Sequence, residues 1–76
     1  MKAALEFIIR NIVKDPSGIE IAEEGSGSTK FIIKAEGSDI GTIIGKQGKI
    51  IKAIREVLRI KAIKQNKYFE LEVKEK

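Results

Sequence analysis

Apolar and polar positions alternate along the chain with two different periods, which divide it into six short elements. Apolar residues at spacings of three and four predict an amphipathic helix over residues 2–14 and a longer one over residues 48–64. Alternation with a period of two predicts strands over residues 19–24, 29–35 and 68–73. A short helix is predicted over residues 39–44, with Ser38 or Asp39 placed to cap its free amides. The predicted order is α-β-β-α-α-β.

The connections between these elements predict how the strands pair. Residues 25–28, of sequence GSGS, are typical of a hairpin, which makes the first two strands antiparallel. The two helices before the last strand form a crossover, so that strand should run parallel to the second. We expect an α+β fold in which three helices cover one face of a three-stranded mixed sheet, within one domain over residues 1–76. The helices should bury every apolar stripe. The other sheet face should stay hydrated apart from Ile32 and Tyr68, which are possible interface residues.

The composition excludes several classes of function. Neither cysteine nor histidine occurs, so disulfides, thiolate nucleophiles and the usual zinc sites are absent from the sequence. Serine–histidine and cysteine–histidine catalysis lack their general base. A metal-dependent enzyme is the weakest hypothesis, because no base or nucleophile accompanies the acidic residues that could hold the metal. These residues are Glu20, Glu23, Glu24 and Asp39. No run approaches the roughly 20 apolar residues needed to cross a bilayer, and we expect a soluble, cytoplasmic protein without cofactor or metal.

Positive charge is concentrated in the second half of the chain. The formal net charge is only +4, but residues 30–67 contain ten Lys or Arg against three acidic residues. On the long predicted helix, basic residues fall on the side opposite the apolar stripe; they are Lys49, Lys52, Arg55 and Arg59. This asymmetry indicates a basic surface with a polyanionic partner, although a lysine-rich surface without any partner has the same composition.

The sequence IIGKQGKII, between two predicted helices, is the strongest indication of function. Gly45 and Gly48 enclose Lys46 and Gln47, and glycine permits both positive φ and close approach of the backbone to a ligand. Gly48 also precedes a helix, whose first amides lack partners inside the helix and carry the positive end of its dipole. Together with Lys46 and Lys49, these features predict a loop that contacts phosphates.

Two other phosphate-binding loops do not fit the sequence. The segment GSGSTK lacks the third glycine of the dinucleotide fingerprint and precedes a predicted strand rather than a helix. The spacing from Gly41 to Gly45 and Lys46 is one residue short of a Walker loop, and Gln47 stands where Ser or Thr must bind magnesium. Because Gly41 and Gly45 are four residues apart on one helical face, we expect another backbone to pack closely there.

These features together resemble the KH domain in its type II (bacterial) topology. The resemblance covers essentially the whole chain, and its Gly-x-x-Gly element maps to residues 45–48. Apolar flanks at Ile43, Ile44 and Ile51, the element order and the length make the resemblance specific. More narrowly, the chain is similar to the small single-domain KhpA-like proteins, with which the Asp-Ile-Gly ahead of the motif also agrees.

The resemblance implies a non-enzymatic protein that binds single-stranded RNA. In KH domains the Gly-x-x-Gly loop clamps the backbone of about four nucleotides while bases lie on an apolar groove. The resemblance implies the same roles in this sequence. The amides of residues 45–48 and the side chains of Lys46 and Lys49 would hold phosphates, and Ile44 and Ile51 would form the base platform. Either Lys30 and Lys34 or Lys52 and Arg55 extend the basic track, and the sequence does not decide between these pairs.

The resemblance also implies partners and a cellular role. KhpA-like proteins form homodimers or pair with a larger KH-containing protein of the Jag/KhpB type. They are associated with RNA chaperoning, post-transcriptional regulation, cell-wall growth and cell shape. The apolar residues over 50–60 suit a dimer face as well as a plain core. A KH-fold protein–protein adaptor and a single-stranded DNA binder remain alternatives, although an adaptor should have lost Gly48 or gained acidic residues in the loop.

Overall fold

The computed structural model describes residues 1–25 and 28–76, which contain three α-helices and three strands. The helices are α1 (Lys2–Ile12), α2 (Gly37–Ile44) and α3 (Lys49–Lys64). The strands are β1 (Glu20–Glu24), β2 (Thr29–Ala35) and β3 (Phe69–Glu75). Short 3₁₀ turns lie at Pro16–Gly18 and Lys46–Gly48. The predicted order α-β-β-α-α-β is confirmed, and no element end differs from the prediction by more than two residues.

The three strands form one mixed sheet in the order β1-β2-β3. β1 and β2 are antiparallel, with Glu24 opposite Lys30 next to their connection. β2 and β3 are parallel, with Thr29 opposite Phe69. Both pairings confirm the prediction from hairpin and crossover. Residues 26 and 27 of the predicted hairpin lie outside the described residues.

One face of the sheet and the three helices enclose the core. On β2, Phe31, Ile33 and Ala35 alternate toward the helices and are fully buried. The largest fully buried side chains come from all three helices and from the central strand; they are Leu5, Ile9, Phe31, Ile33, Ile43 and Leu58. This is the predicted α+β arrangement, in which each amphipathic element covers its apolar side against the other layer.

The outer face of the sheet differs from the prediction at one position. Ile32 is only 6% exposed, because it lies on the central strand between Ala22 of β1 and Glu72 of β3. It is therefore not an accessible interface residue. Tyr68, just before β3, is 83% exposed, so its role as an interface residue stays a prediction.

The prediction that the helices bury every apolar stripe is wrong for α3. Its buried residues are spaced by four and form a single line, Ile54, Leu58 and Ala62. Ile50, Val57 and Ile60 are 38%, 42% and 59% exposed. The stripe is broader than one contact with the sheet can cover, so its margin faces outward.

The predicted cap of α2 is also wrong. The helix begins at Gly37 with Glu36 as its N-cap, and no side chain caps it. Asp39 is instead buried, at 4% exposure, and its carboxylate accepts a hydrogen bond of 3.3 Å from the backbone N–H of Lys14. A buried carboxylate requires a hydrogen-bond donor, and the N–H of Lys14 is that donor. The bond thereby joins the segment after α1 to α2.

Candidate nucleic-acid interface

The connection between α2 and α3 is a tight turn with left-handed backbone. The N–H of Gly45 donates to the carbonyl of Gly41 (2.9 Å) and ends α2. The N–H of Gly48 donates to the carbonyl of Gly45 (3.1 Å) and closes a four-residue turn. Gly45, Gln47 and Gly48 have φ of 77°, 58° and 74°. Such a succession of positive φ values favours glycine at two of the three positions.

The two glycines of the turn have different surroundings. A Cβ at Gly45 would lie 2.5–2.9 Å from atoms of the Ile50 side chain, so Gly45 is required for packing as well as for conformation. A Cβ at Gly48 would meet no atom of the described residues within 4 Å. The space above Gly48 therefore stays open to a ligand. Gly41 is similarly open, so the expected close packing of another backbone against Gly41 is wrong within the described chain.

The start of α3 favours an anion. Gly48 is its N-cap, no side chain caps the helix, and its first turn contains no acidic residue. The positive end of the helix dipole is therefore not neutralised by the protein. Lys46, Gln47 and Lys49 are exposed around it.

The backbone donors of the turn are fewer than the resemblance implied. The amide of Gly45 donates to the carbonyl of Gly41 in α2, the amide of Gly48 donates to the carbonyl of Gly45, and the amide of Lys49 donates to the carbonyl of Lys46. Three of the amides near the helix start are thus occupied by the fold itself. A phosphate at this turn would therefore depend more on the flexible side chains of Lys46 and Lys49.

The basic residues in the turn and in the first half of α3 have no ion-pair partner among the described residues. Among the described residues, Lys46, Lys49, Lys52 and Arg55 have no carboxylate within the 4.0 Å that defines an ion pair. Arg59, further along α3, lies 3.7 Å from Glu56, an exposed pair. Exposed pairs of this kind contribute little to stability.

The alternative basic pair lies on the other side of the molecule. Lys30 and Lys34 alternate with the buried Phe31 and Ile33 on β2, so they lie on the outer face of the sheet. Lys30 is paired with Glu72 at 3.0 Å. The hydrogen bond that Lys30 donates to Glu72, together with the negative charge of Glu72, raises the pKa of Lys30, and the same hydrogen bond lowers the pKa of Glu72.

Apolar surface adjoins the turn on both sides. Ile44 is 36% exposed and Ile51 is half-buried against the core, whereas Ile43, the third flank of the motif, is fully buried. The structure thus places Ile44 and Ile51 next to the turn, and Lys52 and Arg55 on the helix that leads away from it. No cluster of three or more acidic residues that could hold a metal occurs in the part of the chain that the structure describes.

Two pockets beside α3 were not predicted from the sequence. One, of about 390 Å³, lies between α1 and α3 and is lined by Ile8, Ile12, Ile50, Ala53, Val57 and their neighbours. The other lies between the end of α3 and the start of β3. Helical periodicity identifies the apolar and basic sides of α3, but it does not say which neighbour each side faces. Within the described ranges, none of the helices is long and apolar enough to cross a membrane.

Comparison with known proteins gives a consistent result. The profile of a family described as KhpA/KhpB, KH domain, matches residues 2–73. The RNA-binding protein KhpA of Clostridium acetobutylicum is 39% identical over 74 residues, which are 96% of this chain and 99% of that protein. The RNA-binding protein KhpA of Chlamydia trachomatis serovar D is 37% identical over 76 residues, covering 99% of this chain and 97% of its own length. The RNA-binding protein KhpA of Borreliella burgdorferi is 36% identical over 70 residues, which are 91% of this chain and 85% of that protein.

Proposed function

Because the chain belongs to the KhpA/KhpB family of KH domains, we propose that it binds single-stranded RNA through the turn between α2 and α3. The named relatives are RNA-binding proteins and not enzymes. The proposal depends on one observation above all: α3 starts without an acidic residue or a side-chain cap, beside the exposed and unpaired Lys46 and Lys49. A phosphate would supply the negative charge that no side chain of the protein provides at this helix start.

The proposed site divides the work between charged and apolar groups. Lys46, Gln47 and Lys49 contact the phosphates around the turn, and Lys52 and Arg55 extend the track along α3. Ile44 and Ile51 support the bases, since their apolar surface lies directly beside the turn. Aliphatic contacts discriminate between bases less than hydrogen bonds or aromatic stacking do. We expect modest affinity, shallow sequence preference and strong dependence on salt.

Fluorescence anisotropy with short single-stranded RNA tests this site. The double variant Lys46→Asp with Gln47→Asp should lose most of its affinity, and the dependence of log K on log salt should weaken by about 0.7 for each phosphate that the variant no longer neutralises. The variant Lys2→Asp with Asn11→Asp changes the charge equally on the exposed surface of α1 and is the matched control. Circular dichroism checks that both variants fold.

The outcomes separate the candidate functions. If both double variants bind RNA like the wild type, the turn is not the clamp. If the wild type does not bind RNA at all, a protein–protein adaptor becomes the leading hypothesis. A DNA oligonucleotide of the same sequence decides whether the 2′-hydroxyl contributes, because a clamp on phosphates alone binds both strands similarly.

A second proposal concerns the groove between α1 and α3. We infer that it takes another KH domain, either from a second copy of this chain or from a larger KH-containing protein of the KhpB type. Its lining is apolar except for Lys49, and Ile50 and Val57 are 38% and 42% exposed there. Pairing would bury these side chains, and two linked domains on one strand would bind RNA more tightly than one.

The oligomeric state tests the second proposal. In analytical ultracentrifugation over a range of concentrations, Val57→Asp should shift the protein towards monomer, because it places a charge in the groove. Phe7→Asp is the matched control, since Phe7 is 71% exposed on α1 and does not line the groove. A wild type that is monomeric at all concentrations, and remains so when mixed with a KhpB-type KH domain, contradicts the proposal.

The proposed cellular role follows from the family resemblance. We propose that the protein acts in the cytoplasm as an RNA chaperone or post-transcriptional regulator that affects cell-wall growth and cell shape. A chromosomal deletion complemented with the wild type or with the Lys46→Asp, Gln47→Asp variant tests it by microscopy. Equal rescue of cell shape by both proteins would separate the cellular role from RNA binding.

A further inference from the structure

The pocket at the far end of α3 combines positive charge with an exposed aromatic ring. Its volume is about 420 Å³, within the range of about 300–1,000 Å³ that is common for small-ligand sites. It is lined by residues of α3, of β3 and of the connection between them, chiefly Arg55, Arg59, Ile63, Lys67, Tyr68 and Phe69. The lining contains three cationic residues and no carboxylate, which favours an anionic ligand.

The backbone around this pocket is held in place by hydrogen bonds. The N–H of Lys67 donates to the carbonyl of Ala62 (2.9 Å) and the N–H of Asn66 donates to that of Ile63 (3.1 Å). With Asn66 at a φ of 55°, these bonds form a Schellman motif that ends α3. The carbonyl of Tyr68 in turn accepts the N–H of Thr29 at 3.2 Å. The segment that presents Tyr68 is therefore ordered before any ligand binds.

Tyr68 itself is exposed despite this fixed backbone. Its 83% exposure leaves the aromatic ring accessible, although large aromatic side chains are usually more buried. A base has a flat π-face that stacks on such a ring, whatever its identity. Arginine side chains contribute as well, because the guanidinium plane binds phosphate and stacks on rings.

The pocket is continuous with the proposed RNA site. Arg55 belongs to both, and Arg59 lies ten residues beyond Lys49, or about 15 Å along the helix axis. A strand held at the turn and following the basic side of α3 reaches the pocket without crossing an acidic surface, since Glu56 is the only acidic residue of α3. The exposed contact of Glu56 with Arg59 is weak enough to exchange for a phosphate.

We propose that this pocket is a second nucleotide subsite, in which an unpaired base stacks on Tyr68 while Arg59 and Lys67 contact the adjoining phosphates. The proposal rests on the proposed function, because the turn between α2 and α3 must hold the same strand. It adds aromatic stacking to a site whose other base contacts are aliphatic. RNA longer than the turn alone can clamp should gain affinity from it.

The intrinsic fluorescence of the protein reports on this subsite directly. Tyr68 is the only tyrosine and tryptophan is absent, so tyrosine emission comes from this one ring. RNA of about four nucleotides, the length that a KH loop clamps, should leave the emission nearly unchanged. RNA of roughly twice that length should quench it, and an abasic nucleotide at the stacked position should restore the emission while anisotropy still shows binding.

Substitution of Tyr68 provides the matched comparison. Tyr68→Leu should weaken binding of the longer RNA by about five- to 150-fold and leave the shorter RNA unaffected, while Tyr68→Phe keeps most of the affinity. Equal affinity of Tyr68→Leu and wild type for the longer RNA, or an equal loss at both lengths, overturns the subsite. If the proposed RNA site at the turn between α2 and α3 is wrong, the result is different. The Lys46→Asp, Gln47→Asp variant then binds both the shorter and the longer RNA as the wild type does.

Discussion

Basic side chains occupy two regions of this molecule, and most ion pairs of the described residues lie in one of them. On the outer face of the sheet, Lys30 and Lys74 both contact Glu72, at 3.0 and 3.6 Å. Around the start of α3, Lys49, Lys52 and Arg55 have no acidic partner among the described residues. The comparison teaches that the number of cations does not locate a polyanion site. The placement of the carboxylates distinguishes the two regions, and on this basis we propose the start of α3 as the polyanion site.

Local geometry explains the difference between the two regions. The strand register sets Glu24 and Glu70 on either side of Lys30, and Lys30 forms a cross-strand ion pair with Glu72. On α3, basic residues recur at spacings of three and four, which brings like charges together at some cost in stability. In the proposed site, a bound RNA backbone would remove that cost, because its phosphates would lie between the cations.

The largest expected effect concerns the turn that leads into the unpaired region. Gly45→Ala should lower the free energy of unfolding by about 2–4 kcal/mol, because Gly45 has φ 77° and ψ 174°, a conformation that is open almost only to glycine and costs other residues about 1–3 kcal/mol, and because the new Cβ meets Ile50 at 2.5–2.9 Å. Gly48→Ala should cost only the conformational part, about 1–2 kcal/mol, since its Cβ meets no described atom. Urea unfolding measures both. Equal losses would contradict the proposed packing role of Gly45.

The two glycines show how far the sequence predicts the site. Their spacing and flanks predict a phosphate-contacting turn, and the structure adds that Gly45 packs on Ile50 while Gly48 is open. Periodicity likewise predicts the order of elements and the parallel pairing of β2 and β3. These features depend on neighbours in sequence or on simple rules of chain connection.

The features that the sequence does not predict depend on long-range packing. Asp39 suits a helix cap by its position, but folding brings the N–H of Lys14 to its carboxylate. Ile32 has the alternation of an exposed residue, yet its central strand position buries it. Which side of α3 faces α1 and which faces β3 is decided by the tertiary arrangement of these elements. That arrangement creates both pockets beside the helix.

The second-largest expected effect compares the two basic regions directly, by changing the charge of each region by the same amount. Lys52→Glu with Arg55→Glu should reduce RNA affinity by about tenfold or more and weaken the salt dependence of log K by about 1.4, the value for two phosphates of a single strand that are no longer neutralised. Lys30→Glu with Lys34→Glu makes the same change of net charge on the outer sheet face and should leave that salt dependence unaltered. Fluorescence anisotropy over a salt series measures both.

Stability provides the control for this pair of variants. The α3 variant should unfold at the same urea concentration as the wild type or a higher one, because it relieves repulsion between neighbouring cations. The sheet variant loses the Lys30–Glu72 ion pair and should be slightly less stable. If the two folded variants lose RNA affinity equally, net charge rather than the unpaired region governs binding.

The smallest expected effect is the pH dependence of the paired region. Lys30 lowers the pKa of Glu72 below its ordinary 4.5, so the contribution of the pair is present above 4.5 and is lost as pH falls through the lower value in the folded protein. Glu72 raises the pKa of Lys30 above its ordinary 10.5, so the contribution is also lost as pH rises through that higher value. The difference in urea midpoint between wild type and Glu72→Gln should therefore be constant between these limits and shrink outside them.

A matched substitution shows whether this pH dependence of stability arises from the Lys30–Glu72 ion pair. Glu23→Gln removes an exposed carboxylate of β1 that has no ion-pair partner among the described residues, so its midpoint difference should lack the loss at high pH. The same pH profile for both variants would mean that Lys30 gains nothing from Glu72. Lys30 would then be as available to a polyanion as Lys52 and Arg55, and the contrast between the two basic regions would disappear. A profile specific to Glu72→Gln instead means that the fold engages Lys30 with its own carboxylate, as the contrast between the two basic regions requires.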